Sequence, residues 1–196
     1  MRIISTYKDI NPDEWNDLIQ SSDTASFFQT RACYEFYASL SFMKPFVLAV
    51  KDDRKLLALV VGYIIADGNF IKKFFSRRAI IPGGMLIHNK ADKSAVELLL
   101  KHVNKYLKSK VIYAEFRNYN DFSPFKKAFE NSGFNYNKHF NFHVDTTNLN
   151  DTFEKLNTNR KRNLKSNSQN GVEVCIAKSE IEVEKFYQIL KKLYID

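Results

Sequence analysis

Between Pro45 and Gly84 the chain alternates apolar runs with polar turn signals, and this rhythm constrains the fold more than any other feature. Pro45 opens a strand over 46–51, and the Lys51-Asp52-Asp53-Arg54 run is a polar turn of the kind that joins antiparallel strands. A long apolar strand is expected over 55–66, with Gly62 marking a bulge or a close backbone approach. Asp67-Gly68-Asn69 is a second turn signal, after which 70–81 is expected to continue the meander to the Pro82-Gly83-Gly84 corner.

Helical patterns flank this meander. After a short strand over 1–7, Asn11 is placed to cap a helix with Pro12 at its first position and Asp13 and Glu14 in its first turn. Trp15, Leu18 and Ile19 form its apolar stripe. A second helix from about Gln29 carries Cys33, Phe36, Tyr37 and Leu40 on one side. Residues 91–109 form a strongly periodic helix in which Val96, Leu99, Leu100, Val103, Tyr106 and Leu107 share a face. A strand over 111–117, a helix over 122–132 stopped by Gly133, and an alternating strand over 134–145 complete the pattern. The expected class is α+β, a mixed layer architecture with a central, mostly antiparallel sheet flanked by helices. The order of elements also resembles the GNAT (acyl-CoA N-acyltransferase) fold.

Residues 151–170, 172–177 and 180–194 then read as a further helix, strand and helix, a set without a complete sheet of its own. The expected organisation is a GNAT-like domain over 1–148 and the opening of a second, truncated one over 149–196. In that reading Ile181, Phe186 and Leu190 face a missing partner.

A net charge of +8 and a pI near 9.3 favour phosphate-bearing partners or an anionic membrane surface. The charge is concentrated: from Lys155 to Asn170 there are five basic residues, Lys155, Arg160, Lys161, Arg162 and Lys165, and no acid. Cys33 and Cys175 lie in apolar patterns and are expected to be buried and reduced. The N-terminus lacks the apolar stretch of a signal peptide, and the longest apolar run, 56–66, falls short of the roughly 20 residues that span a bilayer. A soluble, cytoplasmic chain is expected.

Several segments together resemble the FemAB-like family of acyltransferases. Arg162-Asn163-Leu164-Lys165 followed by Asn170-Gly171-Val172-Glu173-Val174 looks like its basic helix–strand segment. Trp15 with Ser26-Phe27-Phe28-Gln29-Thr30 resembles its Phe-Gln-(Ser/Thr) helix entry, and Arg77-Arg78 ahead of Pro82-Gly83-Gly84 its Arg-rich strand with a Gly-Gly corner. Gly133-Phe134 before an alternating strand also fits. Cys33 and Tyr37 depart from the family, where a Trp and, in members that grip a precursor's phosphate, a Lys are found. The resemblance implies two GNAT-like domains and transfer of an aminoacyl or acyl group onto an amine of a cell-envelope precursor, peptidoglycan or polysaccharide. It implies no tightly bound cofactor, with aminoacyl-tRNA or acyl-CoA as co-substrate. The implied partner is a nucleotide-sugar or lipid-linked precursor, with tRNA and a peripheral membrane surface as further contacts.

Arg160, Arg162 and Lys165, with the Thr158 hydroxyl a turn earlier, are the candidate substrate-binding residues, because guanidinium groups pair well with phosphate oxygens. The same residues also suit a solvated helix whose charge complements its own dipole. Arg77, Arg78, Gly83 and Gly84 are the candidate cofactor-binding set, although a tight turn with a cationic flank explains them better. Glu115, Arg117, Asn118 and Asp121 sit at a strand end, where open α/β sheets place ligands; Glu115 would suit a general base if buried, but pairing with Arg117 or a neighbouring Lys is the favoured expectation. His139 and His143 read as surface or packing residues, and no metal site is expected. The catalytic residue is not legible. Two other readings use the same features: an acetyl-CoA-dependent N-acetyltransferase of an amino sugar, and a non-enzymatic basic module that binds nucleic acid. A third is a fragment inactive alone.

Overall fold

The computed structural model describes residues 1–195. The chain divides into two compact units, Met1–Asn141 and Phe142–Asp196.

The first unit is a six-stranded sheet with helices on both faces. Its strands are β1 (Arg2–Ile4), β2 (Lys44–Lys51), β3 (Leu56–Ile65), β4 (Arg78–Pro82), β5 (Leu86–Ile87) and β6 (Tyr113–Arg117). The order is β1-β2-β3-β4-β6, with β5 pairing beside β4 on β3. All neighbours are antiparallel except β4 and β6, which run parallel with Ile80 opposite Glu115 and Pro82 opposite Arg117. The turn between β2 and β3 is fixed by Asp52, whose carboxylate accepts from Arg54 N at 2.8 Å and Lys55 N at 2.7 Å. Those bonds hold the Asp52 carboxyl below its ordinary value. Gly62 marks a close approach: a Cβ there would lie 2.5 Å from Phe46 Cζ and 2.8 Å from Ile80 O.

Helices α1 (Pro12–Gln20) and α2 (Arg31–Ser39) lie on one face of β2 and β3. Asn11 caps α1 by accepting from Asp13 N at 2.8 Å, and Trp15 and Leu18 are buried beneath it. Thr30 caps α2, accepting from Cys33 N at 3.2 Å. On the opposite face α4 (Lys93–Leu107) is capped by Asp92, and its stripe of Val96, Leu99, Leu100, Val103 and Leu107 is buried. Full burial of each such aliphatic side chain contributes about 1.5–3 kcal/mol. Helix α5 (Lys126–Asn131) packs against α4 and ends at Gly133, whose φ of +84° requires glycine.

Four expectations about strands and cysteines are corrected. Residues 70–75 are not strand but helix α3 (Phe70–Phe75), which Asn69 caps by accepting from Lys72 N at 3.1 Å. The cap satisfies an amide that a strand would have left for a neighbour. Residues 134–145 and 172–177 form no strand among the described residues. Phe134 and Tyr136 do pack on the core, but Phe140, Phe142 and Val144 are exposed, as are Val174 and Ile176. Cys175 is exposed as well, and only Cys33 is buried.

The second unit contains α6 (Leu149–Glu154), α7 (Thr158–Gln169) and α8 (Glu180–Ile195). The single helix expected over 151–170 is thus broken at 155–157, where Asn157 caps α7 by accepting from Arg160 N at 2.9 Å. Helix α7 closes as read, with Val172 N donating back to Asn167 O at 3.0 Å and Gly171 at φ +73°. Ile181 and Phe186 are exposed on α8, and Leu190 is half-buried. No helix among the described residues is long and apolar enough to cross a membrane.

Candidate active site

Strand register decides which side chains share a face. Tyr63, Ile80 and Glu115 are partners across β3, β4 and β6, so all three point to the side on which α1 and α2 lie. Tyr113 and Arg117, two residues either side of Glu115, join them. The intervening Ala114 and Phe116 point the other way, into the core under α4 and α5. Helices α1 and α2 cover β2 and β3, which leaves the near face of β6 open. The Glu115 and Arg117 side chains there are 44% and 51% exposed. The sheet therefore offers an uncovered shelf at the carboxyl ends of its one parallel pair among the described residues, the position where open α/β sheets receive ligands.

Glu115 and Arg117 pair as expected. Arg117 Nε donates to Glu115 Oε1 at 3.1 Å and an Arg117 terminal nitrogen to Oε2 at 3.2 Å, and this bidentate grip raises the guanidinium's already high pKa. Asp121 serves the backbone instead, accepting from Ser123 N and Oγ at 2.8 and 2.9 Å, which holds its carboxyl low. Asn118 is different: its Oδ1 is buried against Gly84 without a hydrogen-bond partner among the described residues. An unpaired buried acceptor costs on the order of 1–3 kcal/mol, and this one is closed to solvent beside Phe122 of the core.

The wall of the shelf is the segment between α1 and α2, and Gln29 holds it in place. Gln29 is fully buried. Its backbone oxygen accepts from Trp15 Nε1 at 2.8 Å, its Oε1 accepts from Ser26 N at 2.8 Å, and its Nε2 donates to Gly83 O at 2.8 Å. Thr24 Oγ1 adds a bond to Met85 O at 2.8 Å. Gly83 and Gly84 both take positive φ, +76° and +77°, and a Cβ on Gly83 would strike the Gln29 amide. Above this corner Phe28 meets Tyr119 edge-on at 5.4 Å, and Tyr37 lies 4.6 Å from Tyr63. Burial, then the Cys33 thiol and Tyr63 and Tyr119, hold the Tyr37 phenol far above its ordinary value, so it is a neutral hydroxyl.

The four residues read as a cofactor set are not brought together. Arg77 and Arg78 lie at the start of β4 and Gly83 and Gly84 beyond its end, roughly 16 Å of strand apart. Arg78 pairs with Asp67 at 2.6 Å, and Arg77 stacks on Phe74. The glycine corner leads into β5, and the next helix begins only at Lys93, so its amides are not continued by a helix N-terminus.

On α7, Thr158, Arg160, Arg162 and Lys165 are all exposed. Helical spacing puts Thr158, Arg162 and Lys165 on one face and turns Arg160 away. Among the described residues the one ion pair on α7 joins Lys161 to Glu154 at 3.2 Å, leaving Arg160, Arg162 and Lys165 without a carboxylate partner. His139 and His143 are exposed, and no group of three potential metal ligands occurs among the described residues. Sequence reasoning located Glu115, Arg117, Asn118 and the glycine corner but missed Tyr63, Tyr119 and the reach of Gln29. Only the Phe-Gln-Thr motif hinted at the last.

A scan against protein-family models finds no match, and a search of curated proteins finds none. Solved structures do match. FemX is similar over 68% of this chain at 14% identity with a TM-score of 0.53, and the match spans 32% of FemX. The aminoglycoside N-acetyltransferase AAC(6')-Iy in complex with CoA is 12% identical over 74% of this chain and 98% of its own, with a TM-score of 0.49. Glucosamine-6-phosphate N-acetyltransferase from Arabidopsis thaliana is 10% identical over 74% of this chain and all of its own, with a TM-score of 0.47. The FemX match shows a shared fold: a mixed α/β, GNAT-like arrangement with a mostly antiparallel sheet between helices.

Proposed function

We propose that the chain is part of a FemAB-like, GNAT-fold acyltransferase that moves an acyl or aminoacyl group onto an amine of a phosphate-bearing cell-envelope precursor. The observation that carries this reading is the open shelf at the carboxyl ends of β4 and β6, in a fold shared with FemX. Two features of the shelf support it: its wall is stitched by Gln29, and the Glu115 and Arg117 side chains stand open to solvent on its floor. In the reaction the amine nitrogen bonds to the acyl carbon and the ester C–O or thioester C–S bond breaks. The amine's proton is released, and the alcohol or thiol departs protonated. Such a transfer depends on positioning more than on a protein nucleophile. On the second unit, taken by itself, Thr158, Arg162 and Lys165 would hold a phosphate through charge-assisted bonds. Gly83 and Gly84 stay in the site as its corner, while Arg77 and Arg78 fall outside it.

Isothermal titration with acetyl-CoA, and separately with a uridine-diphosphate amino sugar, tests the proposal on the full-length protein. At least one should bind. Glu115→Ala should weaken the amine-bearing ligand by roughly tenfold or more, the scale of one lost hydrogen bond to a charged group. The double variant Arg162→Ala/Lys165→Ala should weaken the phosphate-bearing ligand by a larger factor. Binding of neither ligand, or binding untouched by all these changes, overturns the reading.

A further inference from the structure

The excursion between β3 and β4 is latched at its base and apolar at its tip. Ser76 Oγ donates to Asp67 O and accepts from Asp67 N, both at 2.8 Å. Arg78 reaches the Asp67 carboxylate at 2.6 Å, and Asn69 caps α3. The short helix is thus held in place, yet its outer side chains enter no core. Ile71 is 69%, Phe74 56% and Phe75 71% exposed. Ile112 N donates to Arg77 O at 2.8 Å and Tyr113 is registered against Arg78, so the exposed Ile112 and Tyr113 lie beside the same end of the sheet.

Single exposed apolar residues are ordinary, but a group of them on a latched protrusion marks an interaction surface. Cations rim this one. From Asp67 to Arg78 the chain has four basic residues and one acid, and that acid is paired with Arg78. Lys72, Lys73 and Arg77 remain, with the Arg77 guanidinium 4.4 Å from the centre of the Phe74 ring. A second copy of the chain would bring these cations against their own image, which like-charge repulsion opposes. A nucleic acid would satisfy the cations but not bury Ile71 or Phe75.

We propose that this tip docks on an anionic lipid surface. Ile71, Phe74 and Phe75 enter the boundary between headgroups and acyl chains, and Lys72, Lys73 and Arg77 engage lipid phosphates. The proposal is independent of acyl transfer, because none of these residues belongs to the shelf.

Co-sedimentation of the full chain with vesicles of phosphatidylcholine, and of an equal mixture of phosphatidylcholine and phosphatidylglycerol, provides the test. Binding is expected to the mixed vesicles only, and to fall as salt rises. Lys72→Ala/Lys73→Ala should weaken it about 30-fold, from the usual contribution of two basic side chains near such a surface. Phe74→Ser/Phe75→Ser should abolish it with an unchanged melting temperature, since both positions are exposed. Phe75→Trp, which keeps the apolar tip, should bind and show blue-shifted emission over the constant background of buried Trp15. Equal binding to neutral vesicles, no binding to mixed ones, or binding indifferent to these variants overturns the proposal. So does sedimentation equilibrium showing a dimer that Phe75→Ser dissolves.

Discussion

Trp15 and Phe186 are both large aromatic residues on amphipathic helices, yet Trp15 is 0% exposed and Phe186 61%. The difference lies in what each helix meets. Helix α1 lies on a sheet whose two faces are filled by separate clusters, one under α1 and α2 and one under α4 and α5. Helix α8 belongs to a unit with no strand among its described residues, and Ile181, Val183, Phe186, Ile189 and Leu193 all remain exposed. Amphipathic periodicity provides a face for burial. A complementary layer must receive it.

The largest effect that sharpens this contrast is expected at Trp15. Trp15→Ala should cost about 3–5 kcal/mol, whereas Phe186→Ala should change stability by less than about 0.5 kcal/mol. Urea unfolding followed by circular dichroism measures both, and equal costs would break the comparison. Gly62→Val should cost about 1–3 kcal/mol by driving a side chain into Phe46 and the Ile80 carbonyl, read from the same curves. Gln29→Ala should cost a similar 1–3 kcal/mol, roughly, by leaving Ser26 N and Gly83 O without their partner.

A smaller effect follows from pH. Burial, with Lys55 and Lys90 nearby, lowers the pKa of His88, and burial with Lys105 lowers that of His102. Each folded-state pKa lies below the unfolded value near 6.5, so the native state resists protonation. The first unit should therefore be most stable above about pH 6.5 and lose stability as pH falls through and below it. Melting temperatures of His88→Asn and His102→Asn should fall less over that range than those of the parent. Smallest of all, Arg162→Ala should leave the melting temperature unchanged, since the side chain is exposed and carries no ion pair among the described residues.

Much of the first unit was legible because its signals were local. Asn11, Asp52 and Gly133 act within a few residues, and the stripe of α4 repeats often enough to fix its face. Residues 70–75 misled because a short apolar run suits strand and helix alike, and the Asn69 cap decided between them. Residues 134–145 alternate as a strand should, but alternation specifies a face and not the partner edge that a ladder needs. At the site, Glu115 and Arg117 were legible as near neighbours in one strand. Tyr63 was not, because only the register of β3, β4 and β6 places it beside Glu115.

Gln29 ties three distant stretches of chain through one residue: the indole of α1, the entry to α2 and the carbonyl of the glycine corner. Any shift of the glycine corner must therefore either drag the entry to α2 along or first break the Gln29 Nε2–Gly83 O bond, so the two stretches move as one while a single amide holds.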